Sequence, residues 1–184
     1  MLQGIALKRS ETNRYAKDAL FVLSASAFIA ICAQIAVPLS PVPFTLQTFA
    51  IAMTGWMLGS KKGALAVLAY LLEGAMGLPV FAHGCSGIGY LTGPTGGYLI
   101  GFMLAAIVSG AITYQSTNIL RLAMGFLSCS ACIHICGLPW LSLWVGAANV
   151  LQLGFFPFIL GDVMKIGVSI CTAKLWSANK NRLS

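Results

Sequence analysis

Apolar runs about 15 to 20 residues long follow one another along nearly the whole chain. Lys and Arg gather in every second connection between them. The runs are Ala19–Val37, Phe44–Leu58, Ala64–Val80, Tyr98–Tyr114, Ile119–Gly137 and Pro157–Trp176. Each comes near the ~20 residues with which a helix crosses ~30 Å of hydrocarbon, and the shorter ones suit tilted or partly buried spans. The N-terminal tail (Lys8, Arg9, Arg14, Lys17), Ser60–Gly63, Gln115–Asn118 beside Arg121, and the C-terminal end (Lys174, Lys180, Arg182) are basic. Pro38–Pro43, Phe81–Gly97 and Leu138–Phe156 contain no Lys or Arg. Because basic connections stay on the cytoplasmic side, this pattern predicts six transmembrane helices with both termini cytoplasmic. The predicted fold class is an all-α membrane protein, one domain over 1–184, with cytoplasmic tails at 1–18 and 177–184. A basic start before an apolar run also suits a signal peptide, with Ala25-Ser26-Ala27 as its cleavage site. The run continues to Val37, however, and cleavage would spoil the alternation, so the first helix is read as retained.

Composition agrees. Only 8% of residues are charged and 58% are hydrophobic, whereas soluble domains are about a quarter charged. The net charge of +7 reports topology, since no stripe of Lys and Arg with interleaved aromatics marks a nucleic-acid partner. Five of the six cysteines lie in apolar runs, where Cys acts as a small hydrophobe. Cys85 alone lies in an uncharged connection, so no disulfide between loops is expected.

Asp162 and Lys165 stand one turn apart within the apolar stretch Leu151–Cys171. An i,i+3 pair shares a helix face, and charges at this depth belong to a protein interior, a cavity or each other. If the last helix starts at Pro157, the pair lies about 7–12 Å below its outer end. Leu138–Phe156, just before it, carries Trp140 and Trp144, suited either to a membrane-interface belt or to a lid over a ligand. The connection Phe81–Gly97 has Gly at 84, 87, 89, 93, 96 and 97. Such backbone must be wet or buried beside a cavity. No strand precedes it and no Gly-Lys-Ser/Thr follows, which argues against a phosphate loop. Three prolines stiffen Pro38–Pro43 ahead of Phe44, Thr45, Gln47 and Thr48. Of these polar groups Gln47 is the better ligand candidate, since membrane hydroxyls commonly bond their own backbone.

The segments PVPFTLQTF (Pro41–Phe49), GLPVFA (Gly77–Ala82), GPTGGYLIGF (Gly93–Phe102) and PFxxGDxxK (Pro157–Lys165) together resemble the BioY family. These are the biotin-specific substrate-capture subunits of energy-coupling-factor (ECF) transporters. The likeness runs from the first helix to the last. It implies a six-helix, outward-facing biotin-binding protein of a bacterial cytoplasmic membrane. It also implies docking on a transmembrane coupling subunit with two ATPase subunits. By the same resemblance Asp162 and Lys165 hold the polar part of biotin, and His83, Tyr90 and Tyr98 are further candidates. The family's Ala-x-x-x-Ala docking spacing has its nearest register at Ser26-x-x-x-Ala30, with small surface further along at Ala33 and Ala36.

Biotin offers two ureido N–H donors, a carbonyl acceptor, an apolar thioether ring and chain, and a carboxylate. Asp162 suits the N–H groups and Lys165 the carbonyl or carboxylate. Phe44, Tyr90, Trp140 and Trp144 are candidate apolar walls. No cofactor is implied; biotin is cargo. The alternative to a site is that Asp162 and Lys165 only neutralise each other. Cys129, Cys132, His134 and Cys136 have metal-like spacing, but on one helix His134 points away from the three cysteines, so no metal is expected. Glu73, toward the middle of the third run, is read either as a hydrogen-bonding group across the bundle or as a carboxyl held neutral, and not as a biotin ligand. No Walker loop is present, so ATP hydrolysis falls to partners. A different small vitamin is the nearest alternative ligand. An intramembrane protease would need a second aspartate or a converging Ser/His pair, and Ser128 with His134 does not converge.

Overall fold

The computed structural model describes the backbone of residues 2–183 and the side chains of residues 13–179. Helix α1 (Leu2–Gln34) leads through a two-residue antiparallel ribbon, β1 (Ala36–Val37) on β2 (Phe44–Thr45), into α2 (Gln47–Ala75). A glycine-rich connection carries a 3-10 turn at Ala82–Gly84 and the short α3 (Ile88–Thr92). Then come α4 (Gly96–Thr113), α5 (Ile119–Val145), the single-turn α6 (Val150–Gly154) and α7 (Phe156–Leu183). Among the described residues four stretches are long and apolar enough to cross a membrane: Asn13–Gln34, Gly96–Thr113, Ile119–Val145 and Val150–Asn179.

Helix α2 stands apart from those four because Gly59 breaks it. Its φ of 75° and ψ of 178° suit glycine, which has no Cβ to clash there. Residues 47–58 and 60–75 thus correspond to the second and third predicted runs, joined at a corner. The corner is fastened to the connection after α4: Gln115 N–H donates to Trp56 O (3.0 Å), and Trp56 Nε1 donates to Ser116 O (3.0 Å). Helices α2 and α4 meet backbone to backbone, since a Cβ on Gly110 would stand 2.4 Å from Ser60 N. Small residues of this kind let membrane helices pack closely.

The segments read as tails are helical, as extensions of α1 and α7; the side chains of Lys8, Arg9, Lys180 and Arg182 lie outside the described residues. Three sequence readings change. Phe44 and Thr45, expected to open the second helix, are extended and pair with β1. Helix α5 does not stop at Gly137 but passes through Pro139 to Val145. Membrane helices tolerate such a proline when packing repays the missing hydrogen bond. Here Leu141 is wholly buried and the Trp140 side chain lies over Gly97. Finally, the suggested docking register points inward. Ser26 and Ala33 are fully buried and Ala30 partly so, because the Ser26 hydroxyl donates to Glu73 Oε2 across the bundle at 2.7 Å. A polar pair at this depth rewards that rotation of α1.

Candidate ligand-binding site

Asp162 and Lys165, 7% and 8% exposed, face the interior from the first half of α7. They form an ion pair, and each has a further partner. Lys165 Nζ stands 3.4 Å from Asp162 Oδ1, a long contact, while Ser130 Oγ donates to Asp162 Oδ2 at 2.5 Å. The Phe44 ring lies beneath the ammonium, its centroid 3.8 Å from Nζ, a cation–π geometry. Phe44 reaches that place because Gly161 has no side chain; a Cβ there would stand 2.0 Å from Phe44 Cζ. The glycine of PFxxGDxxK therefore makes room for the ring that orients the lysine.

His134, set aside at the sequence level, belongs to this site. It comes from α5 one turn beyond Ser130, and its Nδ1 is 3.0 Å from Ser130 O and 3.8 Å from Asp162 Oδ2. A carbonyl only accepts, so Nδ1 carries the proton in that bond, and in the neutral ring Nε2 then offers its lone pair. Nε2 is buried and has no protein partner. Tyr98, Phe155 and Phe158 stand edge-on or tilted around the ring. The i,i+4 spacing of Ser130 and His134 was available in the sequence, but cysteines at similar spacing masked it.

These groups border a small, partly open hollow of about 50 Å³, bounded also by Thr45, Gln47, Thr48, Tyr90 and Tyr98. Gln47 is committed within the wall: its amide donates to Tyr70 Oη at 2.6 Å and its carbonyl accepts from Thr45 Oγ1 at 2.9 Å. Tyr98 Oη donates to Gly154 O at 2.9 Å, placing the ring flat over Gly137. Tyr90 stacks on Phe81 with centroids 5.0 Å apart, and burial pushes its phenol above the ordinary value, keeping it neutral. Thr48 Oγ1 is a second buried polar atom without a partner.

Three candidates fall elsewhere. Trp140 braces the glycine-rich connection from outside the hollow, donating from Nε1 to Gly93 O at 2.8 Å. Trp144 is exposed on α5 and does not border the hollow. His83, at φ 59°, lines a separate vestibule of about 410 Å³ on the other side of Tyr90. A further hollow of about 430 Å³ lies at the opposite end by Trp56, Tyr114 and Trp176. Its one charged side chain, Lys62, is paired with Asp18.

Apolar spans enclosing a small cavity, with one acid, one base and one free acceptor among aromatic walls, define a membrane protein that captures a small polar-headed molecule. A family model for the BioY family matches residues 6–181, and the chain belongs to that family. The "Biotin transporter BioY" of Thermotoga maritima is 40% identical over 149 residues, spanning 80% of this chain and 88% of that one. A solved structure of the S-component for biotin from an ECF-type ABC transporter superposes with a TM-score of 0.78 at 27% identity, covering 89% of this chain and 92% of that one. A structure of FolT bound with folic acid shares the fold alone, with a TM-score of 0.60 at 15% identity.

Proposed function

We propose that this chain captures biotin and serves as the substrate-specific component of an ECF-type transporter. It is a transport protein in which partner subunits hydrolyse ATP. Support comes from its relatives' names and, within the molecule, from one observation above all. Asp162, Lys165 and the buried Nε2 of His134 border one small hollow. A ureido group presents two N–H donors and one carbonyl, which is the complement of two acceptors and one cation. Aromatic rings of Tyr98 and Phe158 would flank the thioether ring. In this reading residues 47–58 and 60–75 are separate spans, so six cross a bacterial cytoplasmic membrane with both termini inside. The hollow then lies toward the outer leaflet. Ser24, Ala27 and Ile31 form the exposed stripe of α1 on which a coupling subunit would dock.

Radiolabelled biotin binding to the purified chain tests this. Asp162→Asn and Lys165→Ala are each expected to weaken binding at least about tenfold, or ~1.4 kcal/mol, with membrane insertion intact. Wild-type affinity in both variants rejects the assignment. Failure of unlabelled biotin to compete points to another small vitamin.

A further inference from the structure

Pro43, Tyr90 and Thr95 face two spaces at once: the inner hollow with Asp162 and Lys165, and the larger vestibule outside. The two spaces differ in chemistry as well as size. The acid, the base and the free imidazole nitrogen all border the inner one. The outer one is bounded by prolines, glycines, Tyr90 and His83, with no Lys or Arg. Among the described residues Lys165 is the one Lys or Arg bounding either space.

We infer that the ligand's acyl chain passes between Pro43 and Tyr90 into the vestibule, where no fixed charge holds its carboxyl end, so that biotin esters and amides, including biotin joined to a lysine amine, are ligands of the same site. This rests on the biotin reading above. Once Lys165 meets the ureido carbonyl beside Asp162, no second cation remains for the carboxylate. That group stays hydrated in an open space of about 410 Å³. A hydrated carboxylate pairs with nothing that a neutral ester or amide would lose. A carboxylate held by a buried cation would behave otherwise, since removing one partner of such a pair is costly. Pocket size agrees: small-molecule sites usually run ~300–1,000 Å³, which the inner hollow alone does not reach.

The test is competition against radiolabelled biotin on the purified full-length chain at pH 7.5, where an ordinary histidine is mostly neutral. The competitors are biotin, biotin methyl ester and Nε-biotinyl-lysine. The ester is expected within about threefold of biotin and the lysine amide within about tenfold. Gly89→Trp supplies the second arm, because a Cβ at Gly89 meets open space on the vestibule wall. It is expected to weaken the lysine amide at least about tenfold while leaving biotin within about threefold. If biotin binds but both neutral derivatives lose more than about a hundredfold, the inference is overturned and the biotin reading stands. If Gly89→Trp leaves the lysine amide within about threefold of its affinity for the parent, the chain's path through the vestibule is refuted. If biotin itself does not bind, both readings fall together.

Discussion

Gly161→Ala is the sharpest probe of how the site orients its lysine. The added methyl would stand 2.0 Å from Phe44 Cζ and 2.4 Å from Cε2. Carbon atoms rest at about 3.5–4.0 Å, so the ring must retreat by roughly 1.5 Å. That retreat breaks the seat under Lys165, whose Nζ lies 3.8 Å from the ring centroid. A desolvated cation–π contact is worth about 2 kcal/mol. Losing most of it costs about 1–2 kcal/mol, or roughly a 5- to 30-fold rise in the Kd for biotin. The cause is separable from generic crowding by a double-mutant cycle. In a Phe44→Ala background the new methyl has room, and Gly161→Ala should then cost less than about threefold. Titration calorimetry of the four proteins in one detergent reads the cycle directly. An equal loss from Gly161→Ala with and without the Phe44 ring would refute the mechanism.

Three further changes test other parts of the site. Gly137→Ala places a methyl about 2.3 Å from the Tyr98 ring; it should push Tyr98 into the hollow and weaken biotin binding at least about tenfold, overpacking costing ~1–3 kcal/mol. Unchanged affinity would mean the ring does not border the ligand. His134→Leu removes the free acceptor and should weaken binding about 5- to 100-fold, while His134→Gln recovers part of it; equal affinities across the three proteins would assign His134 to packing alone. Ser26→Ala strips a donor from Glu73 inside the bundle and should lower the detergent Tm, with a loss of ~1–3 kcal/mol and biotin affinity within about twofold. A Tm equal to that of the parent would show that the Ser26–Glu73 bond, 2.7 Å in the structure, contributes nothing net.

Legibility from sequence followed how local each cause is. Asp162 and Lys165 announced themselves because a charge amid apolar residues has few places to go. The corner in α2 was foreshadowed by Lys61 and Lys62 beside Gly59, where the apolar pattern stops. The end of α5 was not legible: Gly137 and Pro139 read as punctuation, yet Gly137 is a seat for Tyr98 and Pro139 is carried through by burial of Leu141. Trp140 looked like a wall and proved a brace, since its partner Gly93 lies 47 residues away. The facing of α1 depended likewise on Glu73, far along the chain from Ser26. His134 was hidden by its neighbours, because periodicity placed it off the cysteine face without saying what that other face meets.

The fastening at Gly59 has a mechanical result. With the corner tied to Trp56, Gln115 and Ser116, residues 47–58 form a lever about 18 Å long, at ~1.5 Å per residue, pivoting at its far tip. A swing of about 5° there moves Gln47 by roughly 1.6 Å while Trp56 scarcely stirs. Any widening by such a swing would accumulate at the end beside Asp162, in the manner of a clothes-peg, and leave the opposite end in place.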